Sequence, residues 1–491
     1  MNHQPNYYDI LGVAQDATQE EIRIAAETRN AQFPMSARDP VTNRAYEQLA
    51  NAYQVLSSPE LRAKYDAQLD ASQSTLLSVN VQSSRQVIGA LDSDQLLYVL
   101  LDLRPPTLQP ETTLPVNVAL VIDRSTSMQG ARLEQVKAAA KLVVEQLGPE
   151  DIISIIAFGD RAQIISPAGR LHNRNLLISR VSGMTAAGGT EIYQGLKAGL
   201  DEMSQVDLSR YINKLILLTD GHTYGDEEEC LNLASRAAGQ NIVFSAMGLG
   251  ADWNDRFLDQ LVAPSGGQST YIEEPGQIIS CLQEQIRGLG AIYAQNVRLE
   301  LGLPAGITIQ YAMKLAPFSL PISSYQNRLK LGTVEGRSPL TLLLELLIKP
   351  QPVGQQLRIP LRLLADFPAQ GQLDYEINTR LELLVMIEDA DVTPPPIIIR
   401  AVQMLNLYRM NERVWNEVEA GQLEMATQRM RRLSTRLMES GHSKLAYEAI
   451  VETQRLTRIG TMSLEGRKKL KYGTRSLLTK TMSLDAHDEM Q

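Results

Sequence analysis

Cysteine is almost absent from this 491-residue chain. Only Cys230 and Cys281 occur, so no disulfide framework holds it and nothing demands an oxidising compartment. Positive charge is not in excess either; the net charge of −9 argues against a chain-wide nucleic-acid binder. No apolar run approaches bilayer-spanning length, and the opening Met1-Asn-His-Gln-Pro-Asn lacks the basic and apolar stretches of a leader. These absences lead to the expectation of a cytoplasmic protein with no membrane span. Catalytic signatures are missing as well: there is no Ser-His-Asp set, no His-Glu-x-x-His and no phosphate-cradling Gly-x-x-x-x-Gly-Lys. Gly248-x-Gly250 lacks the third glycine of a dinucleotide fingerprint. The length itself leaves room for three or four domains.

What is present centres on residues 116–128, Val-Asn-Val-Ala-Leu-Val-Ile-Asp-Arg-Ser-Thr-Ser-Met. The β-branched apolar run predicts a strand buried on both faces of a parallel sheet. It ends in Asp123-x-Ser125-x-Ser127, one carboxylate and two hydroxyls in a tight loop, where open α/β sheets place their ligands. Hard oxygen donors without His or Cys point to magnesium, calcium or manganese rather than zinc. Alone the pattern is weak, because strand-to-helix turns favour Asp and Ser as caps. Two further stretches strengthen it: Gly188-Gly189-Thr190-Glu191 at another loop-to-helix boundary, and a second buried strand from Lys214 ending in Thr219-Asp220-Gly221.

In order and spacing, this set resembles the von Willebrand factor type A domain and its metal-ion-dependent adhesion site. The resemblance implies hydroxyl ligands from Ser125, Ser127 and Thr190. It implies that Asp123 and Asp220 bind the ion directly or through water, and that an acidic side chain from a protein partner completes the shell. Magnesium is the expected ion, with calcium or manganese as alternatives. The bland counterpart is a type A fold whose loop holds no metal.

Upstream, Tyr7-Tyr8-Asp9-Ile10-Leu11-Gly12-Val13 opens a helical unit, and Thr18-x-x-Glu21 is a capping box leading into a helix from about Glu20. A second helix is predicted over about 42–56, stopping at Ser57-Ser58-Pro59, with a short one through Arg62, Tyr65 and Asp66. The opening, and the close Ala-Tyr-x-Val-Leu-Ser-x-Pro-x-x-Arg-x-x-Tyr-Asp, resemble a J-domain. J-domains stimulate a DnaK-type chaperone ATPase through a His-Pro-Asp loop, where this chain reads Phe33-Pro34-Met35. The preceding helix offers little basic surface beyond Arg23 and Arg29. The expectation is therefore a three-helix J-like fold without co-chaperone activity, serving as a docking module or a structural cap.

Alternating strands over 77–103 return after the type A pattern, from Asn296 onward, so the type A domain is expected to be inserted in an antiparallel β-sandwich. The fold class is thus multidomain α/β. Residues 1–72 form the J-like unit, 75–112 with 293–388 the sandwich and 113–290 a Rossmann-like, mostly parallel type A domain. Residues 396–480 form a basic helical region, and 481–491 a disordered tail. The run Arg467-Lys468-Lys469-x-Lys471 reads either as an interaction arm or as a solvated face. Asp226-Glu227-Glu228-Glu229 reads as a helix-capping cluster, and His222 as a contact at the rim of the metal edge.

Together these features predict a metal-dependent scaffold rather than an enzyme, gripping a partner that presents an acid. Two rivals stand beside it: a metal-dependent hydrolase using Asp123 and Asp220, and a chaperone-linked adaptor acting through the J-like unit.

Overall fold

The computed structural model describes residues 7–14, 17–30, 40–59, 61–62, 65–66, 76–106, 114–223, 225–289, 291–336, 338–387 and 393–488. The chain divides into two compact units, Met1–Leu77 and Ser78–Gln491.

In the first unit, helices Tyr7–Leu11, Gln19–Asn30 and Pro40–Ser57 bury Tyr8, Leu11, Ile22, Ala26, Leu49, Ala52 and Leu56 together. The capping box forms as its sequence requires: Glu21 accepts the Thr18 backbone N–H at 2.7 Å. The two ends of the unit meet. Tyr8 Oη donates to Asp66 Oδ1 at 2.6 Å, Arg62 Nε donates to Tyr8 Oη, and the Tyr7 and Tyr65 rings stack with centroids 4.4 Å apart. The motif that opens the unit and the one that closes it are therefore a single packing arrangement. Phe33, Pro34 and Met35 lie outside the described residues.

Among the described residues, sixteen strands follow in the second unit. Three precede the long apolar run: β1 (Ser78–Ser83), β2 (Val87–Gly89) and β3 (Gln95–Arg104). Six belong to the central pattern: β4 (Val116–Asp123), β5 (Ile152–Phe158), β6 (Ala162–Arg170), β7 (Ile212–Thr219), β8 (Ile242–Leu249) and β9 (Ser269–Ile272). Seven come after it: β10 (Ile292–Leu301), β11 (Ile307–Ala316), β12 (Leu320–Pro321), β13 (Arg328–Glu335), β14 (Leu340–Ile348), β15 (Gln356–Phe367) and β16 (Gln372–Met386).

The central six make one sheet in the order β6-β5-β4-β7-β8-β9, parallel except for the antiparallel edge strand β6. All eight residues of β4 are buried, because both faces are covered. Val118, Leu120 and Ile122 meet helices Ala131–Gln146 and Gln277–Leu289 on one side, while Ala119 and Val121 meet helices Ile192–Met203 and Glu227–Ala238 on the other. Helix Ile192–Met203 lies close to the sheet through two glycines one turn apart. An added Cβ on Gly195 would stand 2.6 Å from the Phe158 ring, and one on Gly199 2.8 Å from Val121.

The remaining strands form two five-stranded sheets, β1-β3-β14-β11-β12 and β13-β10-β15-β16-β2. Strands from before and after the central sheet share both. Leu103 pairs with Leu340 of β14, and Ile88 of β2 with Val385 of β16. Alternate residues such as Leu97, Val99, Leu101 and Leu103, or Leu357, Ile359, Leu361 and Leu363, are buried, as on the inner faces of a sandwich.

Among the described residues, four helices follow the sandwich: Pro396–Glu419, Leu423–Glu439, Ser443–Ile459 and Leu464–Asp488. Ile398, Ala401, Leu405, Tyr408 and Leu478 cover the face of the first sheet formed by Leu100, Met313, Leu315 and Leu343. The last helix corrects two expectations. It continues to Asp488, through most of the tail expected to be disordered, because no breaker interrupts it once Leu477 and Leu478 are anchored. Its basic run is neither an arm nor a solvated face. Lys468 donates to the carbonyl oxygens of Ala251 and Trp253, the latter at 2.6 Å; Lys471 pairs with Asp255 at 2.5 Å and Asp259 at 2.8 Å; and Arg475 pairs with Asp259 at 2.5 Å. Burial alone would raise the Asp259 carboxyl, but Arg475 and Lys471 outweigh it and hold it well below the usual carboxylate range. Among the described residues no helix is long and apolar enough to cross a membrane.

Candidate metal site

In the central sheet the chain runs from β4 to β5 on one side and later to β7 on the other, opening a crevice beyond the carboxyl ends of β4 and β7. Asp123 closes β4 and Asp220 follows directly on β7, so the register places both acids at that crevice. Both are buried, whereas Ser127 is exposed.

The loop after β4 folds over its own carboxylate. Ser125 N–H donates to Asp123 Oδ1 at 2.8 Å, and Thr219 Oγ1 donates to Asp123 Oδ2 at 2.7 Å. Ser125 Oγ and Ser127 Oγ lie 3.0 Å apart, and Ser127 Oγ donates to Asp220 Oδ1 at 2.7 Å. Thr190 stands beside them: a Cβ on Gly221 would lie 3.2 Å from its Oγ1. All five residues named from the sequence therefore line one crevice.

The Thr190 loop is held there by backbone bonds. Ala187 N–H donates to Arg124 O at 2.7 Å, Thr126 N–H to Gly188 O at 3.1 Å, and Glu191 N–H to Gly159 O at 3.0 Å. Gly188 adopts φ +84°, and a Cβ there would meet Asp160 Oδ2 at 2.7 Å, so this position needs glycine twice over. Asp160 Oδ1 accepts Gly189 N–H at 2.7 Å.

Four contributors were not evident from sequence alone. Thr219 orients Asp123. Arg132 Nη1 approaches Asp220 Oδ2 at 2.5 Å. Thr223 and Asp226 complete the set; Glu227, Glu228 and Glu229 do lie in the first turn of helix Glu227–Ala238, and only the capping role read for Asp226 is corrected. Asp226 makes no side-chain cap on its own helix Glu227–Ala238. Its Oδ2 instead accepts Tyr193 N–H at 3.0 Å, and Thr223 Oγ1 accepts Ile192 N–H at 3.2 Å. Helix Ile192–Met203 has no cap from its own Glu191, so Asp226 supplies the missing acceptor from a neighbouring loop. His222 is exposed, and Gly248 is a packing glycine beneath the Trp253 ring.

Burial pushes the Asp123 carboxyl up and nearby Asp220 adds to this, while hydrogen bonds from Ser125 and Thr219 pull it back. The donors facing Asp123 are all neutral, so its negative charge sits desolvated beside a second carboxylate. A hard divalent cation suits such a set of two carboxylates and three hydroxyls. Among the described residues, no group of three or more His, Cys, Asp or Glu side chains could hold a metal ion, so any ion here would depend on the hydroxyls as well as the two carboxylates.

Residues 117–284 match the von Willebrand factor type A domain, residues 6–66 the DnaJ domain, and residues 396–480 the Sll0103-like C-terminal alpha-helical domain. The chain thus carries a type A domain between an N-terminal J-domain-like unit and a C-terminal helical region. It is 28% identical over 318 residues to the uncharacterized protein sll0103 of Synechocystis sp., covering 63% of this chain and 75% of that one. It is 30% identical over 185 residues to inter-alpha-trypsin inhibitor heavy chain H4 of Bos taurus, covering 35% of this chain but only 20% of the relative. A solved von Willebrand factor type A protein from Catenulispora acidiphila superposes with a TM-score of 0.62 at 18% identity, over 82% of this chain and 96% of that one. This last likeness speaks to fold alone.

Proposed function

We propose that this chain is a protein-interaction scaffold in which the type A domain grips a partner through a divalent cation, magnesium in the first instance. Asp123, Ser125, Ser127, Thr190 and Asp220 would hold the ion, and the partner would present an acidic side chain to it. The observation that carries this reading is the link from Asp123 through Ser125 and Ser127 to Asp220, which gathers two buried carboxylates and two hydroxyls in one crevice. When bound, the ion supplies an electrostatic bridge between this anionic crevice and the partner's carboxylate. The chain's own residues fix where that bridge forms. Thr219 orients Asp123, and the bonds around Gly188 set the approach of Thr190.

Binding is preferred to hydrolysis on the family match, since a hydrogen-bonded carboxylate keeps lone pairs for an ion as readily as for a proton. The type A match and relatives such as the inter-alpha-trypsin inhibitor heavy chain support the same class. Chaperone recruitment is disfavoured by the first unit. Arg23 is tied to Glu20 and Glu27, and Arg29 turns inward to Ile10 O, so the small basic face of the second helix is consumed internally.

The direct experiment is calorimetric titration of Mg²⁺, Mn²⁺ and Ca²⁺ into the whole chain and an Asp123→Ala/Ser125→Ala variant. One equivalent bound by the former and none by the latter is expected. Equal binding by both proteins would remove the site from these residues.

A further inference from the structure

We infer that Arg132 is a tethered cation occupying the anionic crevice, which a divalent ion must displace from Asp220 before it binds. The inference rests on the metal-site reading above and concerns how that same site is regulated.

Arg132 lies in the first turn of helix Ala131–Gln146, where the exposed N–H groups make a cation unfavourable. A positive side chain there calls for a compensating anion, and Asp220 provides it. The guanidinium Nη1 approaches Asp220 Oδ2 at 2.5 Å and lies 3.5 Å from the Ser127 carbonyl oxygen. Asp220 is fully buried while Arg132 keeps about a third of its side chain exposed, so the arginine closes the crevice from its outer rim. Its far side rests on the loop after β8. Gly250 there adopts φ +71°, and a Cβ at that position would stand 2.8 Å from Arg132 Nη2. The guanidinium is thereby confined between the Asp220 carboxylate and bare backbone.

One oxygen of Asp220 faces Ser127 and the other faces Arg132. A divalent ion drawing on Asp220 competes for the same charge, and the ion and guanidinium together carry more positive charge than Asp123 and Asp220 can neutralise. Arg132 therefore sets a threshold concentration for metal. Once displaced, it is a free guanidinium at the crevice mouth, suited to the carboxylate of an acidic partner.

The test is calorimetric titration of Mg²⁺ into the whole chain, Arg132→Gln, Arg132→Lys and Lys141→Gln, with thermal melts in chelator. Lys141→Gln removes the same charge from the same helix at a distance from Asp220, so it reports the general field alone. Arg132→Gln is expected to tighten magnesium binding roughly tenfold, the scale of a charge-assisted hydrogen bond. Arg132→Lys should fall between, and Lys141→Gln should match the parent. In chelator, Arg132→Gln should melt lower, with saturating Mg²⁺ restoring it. Unchanged or weaker binding by Arg132→Gln overturns the competition and leaves the metal site standing. Binding by none of the four proteins overturns the metal site and the competition together. Should Arg132→Gln fail to fold, Arg132→Lys carries the comparison, and affinity equal to the parent's overturns the inference.

Discussion

The Asp226 carboxylate accepts the backbone N–H of Tyr193 at 3.0 Å, joining the loop after β7 to the start of the helix that follows Thr190. With Thr223 bonded to the same carboxylate and accepting Ile192 N–H, the two loops are strutted together. The position of Thr190 relative to Asp220 thus depends on residues that would not touch an ion.

Asp226→Asn should cost about 1–2 kcal/mol in urea unfolding, the range for losing a charged acceptor at a helix start. It should also weaken magnesium binding several-fold by loosening the Thr190 loop. Reduced stability with unchanged affinity would mean that the strut supports the fold and not the site.

The buried amine of Lys314 makes stability rise with pH above neutrality. Burial pushes it down from 10.5 to about 7, with Glu335 opposing and Lys214 reinforcing the shift. Between those values the unfolded chain binds more protons than the folded one, so stability increases as pH climbs from 7 towards 10. Nζ bonds the carbonyl oxygens of Gly266 and Leu331, joining the β-sandwich to the type A domain. Lys314→Met should flatten the rise by on the order of 1–3 kcal/mol between pH 7.5 and 9.5, read from urea midpoints. An unaltered slope would assign the rise to other groups.

Removing Arg475 should be the most damaging single change in the C-terminal helices. It leaves the half-buried Asp259 short of a partner beside Lys471, at a cost of about 3 kcal/mol, the low end for a buried pair. Arg475→Ala should also open the C-terminal helices to limited proteolysis. Native-like resistance and stability would show that Lys471 alone satisfies Asp259.

Residues 1–77 are a separate compact unit, so a fragment of that length is the natural test of the first unit. It should not stimulate a DnaK-type ATPase, and Phe33→His/Met35→Asp should not suffice to confer stimulation, because Arg23 remains paired with Glu20 and Glu27. Stimulation by the unaltered fragment would reinstate the adaptor reading.

The elements legible in the sequence carry their chemistry locally. The β4 run announces a doubly covered strand, and Asp123, Ser125 and Ser127 sit within five residues of one another. Thr18 and Glu21 spell their own cap. What was not legible depends on partners far along the chain. Lys468 and Lys471 look solvated until Trp253 and Asp255, more than 200 residues earlier, are brought beneath them. Asp226 looks like a cap for its own helix because nothing nearby in sequence reveals that Tyr193 lies opposite. Gly195 and Gly199 were a readable signal of close helix-to-sheet approach, since small residues one turn apart share a helix face.

The pairing of β3 with β14 carries a consequence for synthesis. Leu97 opposite Leu346 and Leu103 opposite Leu340 cannot meet until the ribosome has passed the whole inserted domain and most of the second half of the sandwich. A nascent chain must meanwhile carry β3 without its central neighbour, an apolar edge open to pairing with other chains. Early collapse of the inserted domain would relieve this. Once 116–272 is compact, the two flanking segments are tethered across a fixed gap instead of a long flexible loop, and the entropy of closing it falls. The inserted domain then completes before the sandwich around it, whose first-made strands wait for β14.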